Sequence, residues 1–225
     1  MRSKQSGFTL VEIAIVLVII GLLLGGILKG QEMITQAKIK NIINDFNGIT
    51  AAMNSYQDRY RALPGDELSA NTVARWGAAA FGGDANGIFV RGTTAAATDV
   101  YNNPAEAPAA TTAESNLFWM HLRLSGFVPG PTAGVAATQQ PANAVNGVVG
   151  VQTSGMGYTS NIICTSNLPD KVAIAVDSQM DDGTSTTGQV RGLLQTAPNP
   201  AAGTTAPTSP YAETGTNQYL LCKNL

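Results

Sequence analysis

The pattern of apolar and polar residues first indicates a long helix at the N-terminus. Between Phe8 and Leu28 the one charged residue is Glu12, and most other positions are Ile, Leu, Val, Ala or Gly. A helix rises about 1.5 Å per residue, so this run is about as long as the hydrocarbon core of a bilayer is thick, about 30 Å. Residues 8–28 are therefore predicted to form a membrane-spanning helix.

Beyond Leu28 the apolar residues narrow to one face of the helix. They recur at three- and four-residue steps, with polar and charged residues between them. These residues are Ile39, Ile42, Ile43, Phe46, Ile49, Met53, Tyr56 and Tyr60. Pro64 disfavours the helical conformation at Leu63, and Gly65 supplies a turn. We therefore predict that residues 29–62 continue the same helix in amphipathic form.

The pattern after this helix predicts a small α+β domain at residues 63–225. Residues 66–90 are rich in turn-forming residues, and residues 114–124 have the apolar spacing of a short helix. Four short apolar segments predict strands, at residues 148–151, 160–164, 172–176 and 219–222. An antiparallel sheet with long loops, packed on the second half of the long helix, would bury both apolar faces.

Composition and charge exclude several function classes. The chain has 13 basic and 15 acidic residues among 225, and no basic patch indicates nucleic-acid binding. His121 is the one histidine, so it cannot complete the usual zinc ligand sets, and a structural role is expected for it. No nucleophile and base occur together in a pattern that indicates catalysis, so the chain is not expected to be an enzyme.

Residues 1–7 form a short leader before the apolar run. Arg2 and Lys4 are its charged residues, which favours an N-terminus on the cytoplasmic side. No small-residue cleavage site follows Leu28, so the segment differs from an ordinary secretory signal. Cleavage after Gly7 would remove the leader and leave the hydrophobic helix in the mature protein.

The segment Lys4–Glu12, KQSGFTLVE, resembles the class III signal of type IV prepilins and of the pseudopilins of type II secretion systems. The resemblance covers little more than the first thirty residues. It implies that a prepilin peptidase cleaves after Gly7 and methylates the new N-terminal Phe8. It also implies a pilin-like fold, with other pilin or pseudopilin subunits and an inner-membrane assembly platform as partners.

The same resemblance assigns Glu12 to assembly. A carboxylate in an apolar membrane segment is costly unless it has a partner. In the family, this glutamate pairs with the N-terminal amine of a neighbouring subunit, which would satisfy two buried charges at once. The alternative is a location at the lipid headgroups with no role in assembly.

The resemblance implies a structural subunit of a helical pilus or pseudopilus. The expected location is the inner membrane, with one span and an extracytoplasmic domain, followed by a periplasmic pseudopilus or a surface pilus. Many type IVa major pilins have a proline near the end of the apolar segment, where this chain has Lys29, and this favours a type II secretion pseudopilin. The large neutral domain would suit a minor type IV pilin for adhesion, motility or DNA uptake. A membrane-anchored binding module that does not polymerise is a third interpretation.

Cys164 and Cys222 are the two cysteines, and both follow the membrane segment. An even pair outside the cytoplasm predicts a disulfide, and two buried free thiols are the alternative. The resemblance favours the disulfide, because pilins commonly tie down their C-terminal region in this way.

Two acidic segments are candidate calcium sites, and calcium is the one cofactor that the sequence suggests. Asp177, Asp181 and Asp182 form the densest run of carboxylates, for which a solvated turn near Arg191 is the alternative. Asp84 and Asn86 are a weaker candidate set. They offer oxygens at alternating positions, but no acidic residue follows at the distance found in an EF-hand, so an ordinary turn is favoured there.

Overall fold

The computed structural model describes residues 9–92 and 99–225. The chain divides into two compact units, one ending at Lys38 and the other comprising Ile39–Leu225. Helix α1, Leu10–Tyr60, begins in the first unit and continues in the second. No described residue of the first unit is buried. The predicted long N-terminal helix is confirmed.

The second unit combines helices with one sheet, which confirms the α+β fold class. After α1 the chain forms α2 (Ser69–Trp76), α3 (Glu114–Leu124), a short 3-10 helix (Val135–Ala137), β1 (Val149–Gly155), β2 (Tyr158–Pro169), α4 (Asp170–Met180), β3 (Val190–Leu194) and β4 (Gln218–Asn224). The bounds of α3 are those that the apolar spacing predicts.

The four strands form an antiparallel sheet in the order β1-β2-β4-β3. The last strand in the sequence therefore lies inside the sheet, bonded to β2 on one side and β3 on the other. In this register Val151 lies opposite Ile163, and Cys164 lies opposite Cys222. The C-terminus of the chain is thus tied to the centre of the domain.

Both faces of the sheet are buried, as the alternation of side chains along a strand allows. Ile163 and Leu221 belong to the main core, together with the apolar stripe of α1. The adjacent residues Ile162 and Leu220 point to the other face, where they cluster with Tyr101 and other loop residues. The buried part of the α1 stripe is Ile39, Ile42, Phe46, Ile49, Ala52, Met53 and Tyr56. Helices α1, α3 and α4 therefore contribute to the core on one face of the sheet, and loop residues contribute to the cluster on the other.

The strand predicted at residues 172–176 is wrong, because this segment lies in α4. The alternation Val-Ala-Ile-Ala-Val fits a strand, but the side chains that are buried in α4 are spaced as on one side of a helix: Val172, Ala173, Val176 and Asp177. Pro169 precedes the helix, and Asp170 places a negative charge in its first turn, which favours a helix start. The sequence pattern also missed α2 within the turn-rich segment, and the short strand β3.

Candidate functional site

Glu12 lies in the first turn of α1 and caps it. Its Oε2 accepts hydrogen bonds from the Thr9 amide at 2.8 Å and the Thr9 hydroxyl at 2.9 Å, and its own amide donates to the Thr9 hydroxyl oxygen at 3.3 Å. This reciprocal pair is a capping box, which a Thr followed three residues later by Glu indicates in sequence. Sequence reasoning assigned Glu12 to assembly and missed this second role. The predicted processing residues Gly7 and Phe8 lie outside the described residues.

After Glu12, the first part of α1 has apolar side chains on all sides. Its large apolar residues between Leu10 and Leu28 are exposed, with Leu10 at 91%. By length and composition α1 can cross a membrane. The arrangement is a carboxylate at the head of an uncovered apolar helix, which requires lipid or other apolar helices around it.

Cys164 and Cys222 form the predicted disulfide. They lie opposite each other on β2 and β4 with their Cα atoms 4.0 Å apart, and both are fully buried. The bond therefore crosslinks two adjacent strands in the middle of the sheet.

His121 is fully buried on α3, and both of its ring nitrogens have partners. Nδ1 accepts the Gly65 amide at 2.8 Å, and Nε2 lies 2.8 Å from the Phe81 carbonyl oxygen, to which it donates. Burial lowers the pKa of His121 to about 4, so the imidazole is neutral. These bonds give the histidine a structural role.

A buried polar group beside His121 joins α1 to α2. The Tyr56 hydroxyl donates to Glu67 at 2.5 Å, and the Arg75 guanidinium donates to both oxygens of the same carboxylate, at 3.0 and 2.8 Å. Burial opposes ionisation of Glu67, but the hydrogen bonds from Arg75 and Tyr56 hold its pKa below the usual value. The carboxylate is fully occupied by these contacts, which indicates a structural junction.

The carboxylates of Asp177, Asp181 and Asp182 meet at the end of α4, with one oxygen of each within 4.8 Å of the others. All three accept hydrogen bonds from nearby groups. Asp177 accepts the Tyr211 hydroxyl at 2.6 Å, Asp181 accepts the Val190 amide at 2.9 Å, and Asp182 accepts the Thr187 hydroxyl at 2.7 Å. These bonds shape the turn between α4 and β3. Calcium at this cluster stays a prediction.

The structure places Asp84 with Asp66 and Glu114, again with one oxygen of each residue within 4.8 Å of the others. The side chain of Asn86 is engaged elsewhere, since its amide group donates to the carbonyl oxygens of Val90 and Gly92. Sequence reasoning named Asp84 but missed Asp66 and Glu114, because both are distant from it along the chain.

The electrostatics of this second cluster are unfavourable to three ionised carboxylates. Burial, together with the charges of Asp66 and Asp84, raises the pKa of Glu114 to about 8, and Arg91 offsets this only in part. Burial also raises the pKa of Asp66. The group therefore requires positive charge from a proton or from a cation.

Residues 2–28 match the family model described as the prokaryotic N-terminal methylation motif. Searches of curated proteins and of solved structures found no significant match. The motif supports a type IV pilin or pseudopilin that a prepilin peptidase processes and that assembles with other pilin subunits, a structural role rather than an enzymatic one. With the long apolar helix, it fits an inner-membrane-anchored protein of the pilin type. The N-terminal region of this chain therefore carries the prokaryotic N-terminal methylation motif, which supports membership of the type IV prepilin and pseudopilin family.

Proposed function

We propose that this chain is a pseudopilin that works in type II protein secretion. Residues 1–7 are the cleaved leader, residues 8–28 are the membrane and fibre-core helix, and residues 29–62 continue that helix. Residues 63–225 form the extracytoplasmic domain. After cleavage behind Gly7 and methylation of Phe8, the subunit leaves the inner membrane and joins a periplasmic helical fibre.

The observation that carries this proposal is the position of Glu12 in the first turn of α1, a helix whose apolar side chains from Leu10 to Leu28 are exposed. Keeping these side chains in water would cost about 25 cal/mol of free energy per Å² of apolar surface. Lipid covers them before assembly, and the helices of neighbouring subunits cover them in the fibre. Glu12 then meets the amine of Phe8 that cleavage creates on a neighbour, which offsets the cost of removing either charge from water.

A pseudopilus is favoured over a type IV pilus by the middle of α1. The helix passes through Lys29, at the place where many type IVa major pilins have a proline. A minor type IV pilin is the second candidate. The two are distinguished by deleting the gene: loss of protein secretion with normal surface pili supports the pseudopilin, and loss of pili with normal secretion supports the pilin.

Processing is tested by replacing Gly7 with a bulky residue. The Gly7→Leu chain is expected to keep its leader in cells that contain the prepilin peptidase, because the residue at the cleaved bond no longer fits. Mass spectrometry of the N-terminal peptide reports both cleavage and methylation. Ser6→Ala, one residue earlier, is the matched control and should be processed normally. Normal maturation of Gly7→Leu would refute the prepilin function, whether the fibre is a pilus or a pseudopilus.

A further inference from the structure

Three acidic residues from separate segments converge in the second unit. Asp66 follows the end of α1, Asp84 lies in the loop after α2, and Glu114 is the first residue of α3. One carboxylate oxygen of each lies within 4.8 Å of the others. This group, the Asp66–Asp84–Glu114 cluster, is distinct from the turn at the end of α4.

Two glycines allow the backbone to pack closely against the cluster. A Cβ atom on Gly83 would lie 2.4 Å from Glu114 Oε1 and 2.6 Å from the Asp66 Cα. A Cβ atom on Gly65, whose φ is 90°, would lie 2.4 Å from the Glu114 carbonyl oxygen. Larger residues at these positions would force the three acids apart, so the local sequence permits their convergence.

Backbone amides donate hydrogen bonds to some of the carboxylate oxygens of the cluster. Asp66 accepts the amides of Asn86 and Gly87 at 2.9 and 2.8 Å, and the Asp84 amide donates to Glu114 Oε1 at 3.1 Å. Asp84 Oδ2 accepts the Gly92 amide at 2.5 Å. These bonds orient the carboxylates, and the loop wraps around them.

Two carboxylate oxygens of the cluster stay unsatisfied. Glu114 is 0% exposed, and its Oε2 has no hydrogen-bond partner among the described residues; the same holds for the buried Asp84 Oδ1. Within that part of the chain none of the three acids forms an ion pair. The nearby Arg91 donates through Nη2 to the carbonyl oxygens of Gly82 and Thr112 instead. Buried carboxylate oxygens without partners are costly, and such a set in a native fold points to a missing ligand.

We infer that the Asp66–Asp84–Glu114 cluster binds a calcium ion. Calcium takes carboxylate oxygens at about 2.3–2.6 Å, so two ligands on opposite sides of one ion are about 5 Å apart. The three oxygens lie within 4.8 Å of one another, so one ion can contact all of them. Magnesium usually keeps several waters and is seldom held by a cage of protein ligands alone, so a buried set of carboxylates favours calcium. Of the three acids, Asp66 also lines a surface cavity of about 480 Å³.

The ion would connect the end of α1 to the start of α3. Binding to the folded chain and not to the unfolded chain stabilises the fold, so calcium should raise the melting temperature. Calcium binding would be a property of the folded domain, independent of processing and of fibre assembly.

The experiment uses the full-length chain purified in detergent and freed of metal with a chelator. Titration calorimetry with calcium chloride measures affinity, and thermal unfolding is followed with calcium, with magnesium and with neither. Glu114→Gln and Asp84→Asn remove a ligand charge with little change of shape. Asp58→Asn is the matched control, because it removes an exposed acidic charge outside both acidic clusters. Asp182→Asn tests the other candidate site.

Calcium is expected to bind and to raise the melting temperature more than magnesium does. Glu114→Gln and Asp84→Asn should each weaken calcium binding by about tenfold or more, because they lower the charge of the ligand set. Without calcium, Glu114→Gln should be at least as stable as wild type, since it relieves repulsion between buried carboxylates. Asp58→Asn should bind as wild type does, and Asp182→Asn should keep the calcium response that comes from the Asp66–Asp84–Glu114 cluster.

Three results would overturn the inference. Wild-type stability that is the same with and without calcium would mean that a proton alone balances the cluster. A wild-type calcium response in Asp84→Asn, which is decisive even if Glu114→Gln does not fold, would exclude these ligands. Loss of the response in Asp182→Asn alone would assign the ion to the turn at the end of α4.

Discussion

His121 is held between the loop after α1 and the loop after α2 in its neutral form. Its two hydrogen bonds require one protonated and one unprotonated nitrogen, so a second proton would break the contact with the Gly65 amide. The ring lies near Tyr56 and Trp76, with centroids 6.0 and 6.1 Å away. Glu67 favours the charged imidazole and Arg75 opposes it, but burial is the largest influence.

The stability of the domain should therefore fall in acid. The pKa of His121 in the folded state, about 4, lies below its ordinary value of 6.5, so the unfolded chain binds the proton more strongly. The stabilisation is complete above pH of about 6.5 and is lost as the pH falls toward about 4, by about 3 kcal/mol in total. Chemical unfolding of wild type and of His121→Gln across this range measures the effect.

The difference between the two curves isolates the histidine, because the carboxylates titrate in both proteins. His121→Gln offers an oxygen to the Gly65 amide and an amide to the Phe81 carbonyl, so it is expected to fold. If the two proteins lost stability equally between pH 6.5 and 4, the acid sensitivity would belong to other groups.

At the scale of secondary structure, the disulfide closes a large part of the domain. Cys164 and Cys222 are 58 residues apart, and the loop between them contains α4 and β3. The crosslink restricts the unfolded chain more than the folded chain, where β4 is already paired on both sides.

Replacing both cysteines by alanine should lower the free energy of unfolding by about 4 kcal/mol in the chain-entropy model. Denaturant unfolding of the full chain in detergent measures this change. Wild type treated with a reductant is the matched control, and it should approach the stability of the double variant. Equal stability of the oxidised wild type and the double variant would show that hydrogen bonding of β4 alone holds the C-terminus.

The elements that were predictable are those with an unambiguous period. Apolar steps of three and four residues set the stripe of α1 and the bounds of α3 (Glu114–Leu124). The apolar pattern of residues 172–176 is compatible with a strand and with a helix. Packing against the sheet favours the helix. The short strand β3 contains Gly192 and depends on its pairing with β4. Such contacts are tertiary and leave little local signal.

The candidate sites also differ in whether local sequence or only the folded structure reveals them. The disulfide is predictable from an even pair of cysteines, whereas the cleaved leader and the assembly role of Glu12 are implied by the family resemblance and stay predictions. Asp84 was identified from its local spacing, but Glu114 lies on another helix and reaches it only in the folded domain. The capping role of Glu12 has a local signal as well, since Thr9 stands three residues before it.

At the scale of the whole molecule, Glu12 connects the local structure of one helix to the assembly of many. Its carboxylate completes the capping box with Thr9 in the single chain. In a fibre the same carboxylate would face the N-terminal amine of a neighbour. The two roles make different demands: the cap needs a hydrogen-bond acceptor, whereas the contact between subunits needs a negative charge.

Glu12→Gln separates these demands, since glutamine also serves in a capping box but has no charge. We expect Glu12→Gln to be processed normally and to be absent from sheared or crosslinked fibres, because the amine of the neighbour would be left without a counter-charge. Thr9→Ala is the matched control: it removes the cap at a cost of about 1 kcal/mol but keeps the carboxylate, and should still assemble. Fibres that form with Glu12→Gln would exclude the charge contact. If Thr9→Ala failed as completely as Glu12→Gln, the geometry of the helix start, rather than the charge, would control assembly.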